Sequence, residues 1–215
     1  MVKSDSGRKR NRVKVKICGI TNLEDALACR KLDADALGFV FYKKSSRYIN
    51  PQAARDIIKH IPARVLKVGV FVDAKEETIK NIANSCGLDI LQFHGRETPG
   101  FCNRFKGDKV IKAFRIKDRI DLSRVKEYKT FAVLFDAFVK ALPGGTGRSF
   151  DWGLLKQAPE AKKPVFLSGG LDKNNVRKAI SSAGPDWVDV STSVEASPGR
   201  KDPEKVRKFI RAAKS

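Results

Sequence analysis

A thiol and a carboxylate end two of the strand-like runs in this chain. Cys18 sits in Lys16-Ile17-Cys18-Gly19-Ile20-Thr21 and Asp136 in Leu134-Phe135-Asp136-Ala137-Phe138. A thiol with an ordinary pKa of about 8.5 is partly ionised near neutrality, and a nearby cation raises that fraction. Cys18 can therefore serve as a base or as a nucleophile. The bland reading of a strand cysteine is a small buried hydrophobe, and Cys29, Cys86 and Cys102 are read that way. Asp136 has a bland reading too, as a cap on the turn after its strand. Phe135 and Phe138 flank it, however, and desolvation of a carboxyl favours the protonated form that acts as a general acid.

Two further strand ends are suited to an anion. Ser168-Gly169-Gly170 and Ser191-Thr192-Ser193 each precede a helical segment and offer backbone N–H groups with little side-chain obstruction. Arg47, in the polar loop of residues 42–48, has the planar fork that grips a carboxylate in two places. His94 ends the fourth strand and is expected to line the mouth as a hydrogen-bonded wall residue. Strand alternation puts Lys16 on the face of Cys18, and Asp189 on the face of Trp187 and Ser191. If the first and last strands adjoin, Lys16 and Asp189 pair beneath the site. Gly144 and Gly145 lie in a glycine-rich stretch, residues 143–147, that can act as a lid. No His/Cys/Asp cluster has metal-ligand spacing, so neither a metal nor a cofactor is expected.

The elements that must position these groups alternate. Strands are predicted over 13–18, 35–41, 65–72, 88–93, 108–114, 130–136, 163–168 and 186–191. Helices are predicted near 23–31, 51–60, 74–85, 97–105, 120–127, 150–157, 172–182 and 202–213. Eight strand–helix repeats are the pattern of an α/β protein of the (β/α)8 TIM-barrel class, whose sites lie at the C-terminal ends of the strands. Asn22, Asp73, Asp172 and Asp202 stand where helices should begin, and Asn50-Pro51 places proline in a first turn. We read one catalytic barrel domain, 13–215, behind a basic and disordered extension, 1–12.

The length of 215 residues suits one such barrel, and the net charge is +20, from 44 Lys and Arg against 24 Asp and Glu. Basic residues cluster near both ends and are otherwise spread over helix faces. They lack the aromatic interleaving of base-stacking modules, so nucleic acid is not expected as the primary partner. An anionic small molecule suits this field. Four cysteines without CxxC spacing, no membrane-length apolar run and no signal-peptide core lead to the expectation of a cytoplasmic enzyme. Monomer and homodimer both remain open.

The ordered set of segments resembles phosphoribosylanthranilate isomerase. It comprises Lys16-Ile17-Cys18-Gly19-Ile20-Thr21, Leu37-Gly38-Phe39-Val40-Phe41, Ser45-Ser46-Arg47-Tyr48-Ile49, Gln92-Phe93-His94-Gly95, Gly144-Gly145-Thr146-Gly147 with Phe150-Asp151-Trp152, Leu167-Ser168-Gly169-Gly170-Leu171, and Val188-Asp189-Val190-Ser191 through Val194-Glu195. The similarity runs from about Val13 to the C-terminus. It implies an Amadori rearrangement of a phosphosugar, N-(5-phosphoribosyl)anthranilate, to 1-(2-carboxyphenylamino)-1-deoxyribulose 5-phosphate in tryptophan synthesis. By the family's pattern Cys18 is the general base, Asp136 the general acid, and Arg47 the ligand of the anthranilate carboxylate. Ser193 stands where the resemblance leads us to expect a glycine, and the basic extension has no counterpart.

Three alternatives were weighed. The aminoaldose isomerase of histidine synthesis is expected to use two aspartates, whereas the first strand here ends in cysteine. Indole-glycerol-phosphate synthase needs a catalytic lysine and extra N-terminal helices. A basic nucleic-acid-binding protein on a barrel scaffold would show steeply salt-dependent binding with sequence preference.

Overall fold

The computed structural model describes residues 12–116, 120–137 and 162–215. The eight expected strands are all present: β1 Lys14–Cys18, β2 Ala36–Val40, β3 Leu66–Phe71, β4 Ile90–Phe93, β5 Val110–Ile116, β6 Ala132–Ala137, β7 Val165–Ser168 and β8 Trp187–Val190. They pair in sequence order, all parallel, and β8 returns to β1 to close the barrel. A strand buried on both faces carries an unbroken apolar run, and Ala-Leu-Gly-Phe-Val of β2 is such a run, buried throughout.

Alternation along the strands divides the core in two. Ala36, Val68, Ile90, Ile111, Ala132, Leu134, Phe166 and Trp187 fill the interior. Val15, Ile17, Leu37, Val133, Phe135, Leu167 and Val188 face outward into the layer shared with the helices. At the lower end Phe166 and Trp187 stack with ring centroids 4.8 Å apart, and the Lys14 ammonium lies 5.2 Å from the Trp187 ring. This apolar floor leaves the upper end for polar groups.

The described helices are α1 Leu23–Lys31, α2 Pro51–Ile58, α3 Glu76–Cys86, α4 Pro99–Cys102, α5 Leu122–Glu127, α6 Val176–Ala183 and α7 Pro203–Lys214. Asn22, Asn50 and Asp202 accept hydrogen bonds from first-turn N–H groups, as their positions predict. Asp73 departs from the prediction. It sits at φ +50° and accepts from the Arg96 N–H, so it ties two loops, and α3 starts beyond it after Lys75. The Asp172 carboxylate accepts from the N–H groups of Asn174 and Asn175 and its C=O from the Val176 N–H, the same set as at Asp202, just ahead of α6. A hairpin after β8, β9 Glu195–Ser197 with β10 Arg200–Lys201, was not anticipated.

The expected extension (except Arg12), the glycine-rich stretch with Gly144 and Gly145, and the helix expected at 150–157 lie outside the described residues. Among the described residues no helix is long and apolar enough to cross a membrane.

Candidate active site

Lys16 is fully buried inside the barrel and donates from Nζ to Asp189 Oδ1 at 2.9 Å. The ion pair expected from strand parity is therefore present. It exists because β1 and β8 are in register, with Lys16 opposite Asp189. Burial pulls the ammonium toward its neutral form, but the Asp189 carboxylate and Cys18 together outweigh this and lift the Lys16 pKa above its ordinary value.

Cys18 lies one inward position above Lys16, partly exposed at the top of β1. Its strand partner on β2 is Gly38. A Cβ on Gly38 would stand 2.8 Å from Cys18 Sγ and 3.1 Å from Lys16 Nζ, so the missing side chain is the space in which thiol and ammonium sit. The expectation that a cation would favour the thiolate is only half met. Burial pushes the Cys18 pKa up, Lys16 opposes the rise without cancelling it, and Asp189 adds to it.

Asp136 is the penultimate residue of β6, on the inward face, with Ser168 opposite it on β7 and Arg115 opposite it on β5. His94 Nε2 lies 3.2 Å from Asp136 Oδ2, and Gln92 Nε2 lies 3.1 Å from His94 Nδ1. With the Gln92 amide donating to Nδ1, the ring hydrogen is on Nε2 and His94 donates to the carboxylate. The apolar flanking expected of Phe135 is corrected here. Neighbouring residues on a strand point to opposite faces, and Phe135 packs outward into the helix layer while Asp136 points inward. Phe138 lies outside the described residues. Asp136, with His94 beside it, and the Lys16–Asp189 pair point into the same closed barrel, so the two groups share one interior.

The two predicted anion loops adjoin. Gly169 and Gly170 have φ of +91° and +61°, a left-handed path suited to glycine. Asn175 donates to Gly170 O at 2.8 Å and holds that turn. Ser191 Oγ donates to Cys18 O, and Ser193 Oγ to Leu171 O, so the loop after β8 is stitched to those after β1 and β7. Thr192 to Val194 form a single 3-10 turn. Ser193 does not have a positive φ, so a Cβ is accommodated there without backbone strain.

Arg47 was read as a loop cation facing a ligand, and sequence reasoning missed its protein partner. Its Nε and Nη2 donate to Glu195 Oε1 and Oε2 at 2.8 and 2.6 Å. Lys201 Nζ donates to Glu195 Oε1 at 2.8 Å. Burial alone would lift the Glu195 pKa, but these two cations together hold it below the ordinary carboxylate range. Gln92, Gly38, Lys201 and Arg115 were also not singled out. Parity with His94 was available as a signal for Gln92. Among the described residues no cluster of three His, Cys, Asp or Glu is placed to hold a metal.

Comparison with known proteins identifies the family. Residues 15–212 match the family described as N-(5'phosphoribosyl)anthranilate (PRA) isomerase. The chain is 49% identical over 201 residues to N-(5'-phosphoribosyl)anthranilate isomerase of Citrifermentans bemidjiense, covering 94% of this chain and 97% of that one. It is similar in structure to the phosphoribosyl anthranilate isomerase of Thermotoga maritima, with a TM-score of 0.87, 44% identity, and coverage of 94% and 98%. A second similar structure, with a TM-score of 0.85, 43% identity and the same coverage, is of a phosphoribosyl anthranilate isomerase in complex with reduced 1-(o-carboxyphenylamino)-1-deoxyribulose 5-phosphate. A match over nearly the whole barrel, with the thiol, carboxylate and glycine turns at its strand ends, places this chain in the N-(5'-phosphoribosyl)anthranilate isomerase family of tryptophan biosynthesis.

Proposed function

We propose that the chain converts N-(5-phosphoribosyl)anthranilate into 1-(2-carboxyphenylamino)-1-deoxyribulose 5-phosphate, with Asp136 as general acid and Cys18 as general base. The observation that carries this reading is the sharing of one barrel mouth by two separately held groups. Cys18 stands above Lys16 and Asp189, and Asp136 is oriented by His94.

Asp136 gives a proton to the ribose ring oxygen, the C1–O bond breaks, and the anilino nitrogen becomes an iminium. The iminium acidifies the proton on sugar C2. Cys18 thiolate removes it, and the electron pair left behind neutralises the nitrogen to give an enolamine. Protonation at C1 and loss of the hydroxyl proton give the ketone. A thiol whose pKa is raised is a scarcer but stronger base when ionised, and Lys16 supplies the positive charge that keeps the thiolate accessible. The phosphate is bound at Ser168, Gly169 and Gly170 after β7 and at Ser191, Thr192 and Ser193 after β8. Arg47 receives the anthranilate carboxylate.

The test follows the fluorescence of phosphoribosylanthranilate as it disappears. Cys18→Ala and Asp136→Asn are each expected to lower kcat by about 10²–10⁴-fold while circular dichroism stays that of the parent. Turnover within threefold of the parent in either variant removes that residue from its role.

A further inference from the structure

The salt bridge between Arg47 and Glu195 raises a question that the chemistry above leaves open. An arginine meant for a substrate carboxylate already holds one from the protein. A guanidinium has five N–H donors arranged on distinct edges. Glu195 takes the Nε hydrogen and one from Nη2, and Thr192 Oγ1 accepts from Nη2 at 3.2 Å. Both Nη1 hydrogens remain without an acceptor among the described residues. The arginine is thus held along one side and presents its other end.

The rest of the assembly fixes that pose. The Arg47 N–H donates to Ser45 Oγ at 3.1 Å. A Cβ on Gly19, which has φ +82°, would stand 2.7 Å from Arg47 Cδ, so the arginine stem crosses directly over this glycine at the top of β1. Glu195 is 6% exposed and Lys201 5% exposed, and the two are paired residues across the β9–β10 hairpin. The Lys201 N–H is in turn anchored to Asp25 Oδ2 at 2.8 Å. Lys201 also settles the charge balance. Arg47 and Glu195 alone sum to zero, whereas the three together carry one net positive charge, which an incoming carboxylate needs.

We propose that Glu195, backed by Lys201, is a positioning residue that holds Arg47 so that its Nη1 end meets the aryl carboxylate of the substrate. The inference rests on the activity proposed above. Glu195 touches no reacting atom, and its effect passes entirely through Arg47. The hairpin is therefore part of the substrate-recognition apparatus, although it lies outside the barrel sheet.

The test is a double-mutant cycle with phosphoribosylanthranilate as substrate, using Arg47→Ala, Glu195→Gln and the double variant. Glutamine keeps the size but turns an N–H toward the guanidinium. Glu195→Gln is expected to raise KM about tenfold or more and to leave kcat within about threefold, the pattern of lost uniform binding. In the Arg47→Ala background the same change is expected to add little. A KM unchanged by Glu195→Gln overturns the proposal, as does a kcat loss at constant KM, or losses that multiply in the double variant. Should Glu195→Gln fail to fold, Lys201→Met carries the test. It leaves the Arg47–Glu195 bond in place and removes one positive charge, with a KM rise of about threefold expected and an unchanged KM counting against. An inactive parent enzyme would overturn the activity itself, which is a different result from an active parent indifferent to Glu195.

Discussion

Gly38 stands against Cys18 so closely that a single added methyl would sit 2.8 Å from the sulfur and 3.1 Å from the ammonium of Lys16. Such an approach is well inside van der Waals contact. Lys16 is held by its bond to Asp189 and the Cys18 backbone by the strand, so the thiol has to turn aside. Gly38→Ala is therefore expected to cost about 1–3 kcal/mol of stability as an overpacked site. It should also lower kcat/KM by tenfold or more, because the thiol moves. Chemical unfolding and steady-state rates measured on one preparation decide it, and parent-like values for both would show that the space is not needed.

The pH behaviour of Cys18 follows from its burial. Its folded pKa lies above the ordinary thiol value of about 8.5, because desolvation outweighs Lys16. The neutral thiol is thus the form favoured by folding. The stability it contributes is complete below about pH 8.5 and is lost as pH rises through the folded value. Alkylation by iodoacetamide should keep accelerating beyond pH 8.5. Cys29, held at about 12, and Cys102, at about 11, are buried and should react later. A Cys18 rate that levels off near pH 7 would contradict this ordering.

A second buried pair supports the loop that carries His94. Lys112 Nζ donates to Glu97 Oε2 at 2.7 Å and to Gly95 O at 2.8 Å, while the Glu97 carboxylate accepts from the Asp73 and Gly95 N–H groups. Removing one partner leaves a buried charge without compensation. Lys112→Met should destabilise by about 3–5 kcal/mol in urea titrations. A loss below 1 kcal/mol would mean that the site rehydrates.

The net charge of +20 bears on how an anionic substrate arrives. Raising ionic strength from about 10 to 500 mM shrinks the Debye length severalfold, so kcat/KM should fall while kcat stays nearly constant. Flat kcat/KM across that range would exclude steering by the protein's field.

Much of this was legible because it depends on local period and on strand order. The run Val-Lys-Ile-Cys in β1 and Trp-Val-Asp-Val in β8 alternate cleanly, so knowing that the barrel closes is enough to bring Lys16 to Asp189. The caps at Asn22, Asn50 and Asp202 are equally local. Phe135 was misjudged because adjacency in sequence was taken for adjacency in space, which a period of two forbids. Asp73 resembles a cap in sequence, yet its carboxylate accepts from the Arg96 N–H of another loop instead. The Arg47–Glu195–Lys201 assembly was hidden for another reason. It spans 148 residues between Arg47 and Glu195, and it depends on a hairpin whose two strands are too short to show any periodicity.

The bond between Lys16 and Asp189 joins the first strand of the sheet to the last, so it is made only when the cylinder shuts. A growing chain that has not yet reached Trp187 holds a lysine in its first strand with nothing opposite, and the loop after β8 and the Glu195 that binds Arg47 are absent with it. Closure of the sheet and burial of a paired lysine in its interior are for this reason one event.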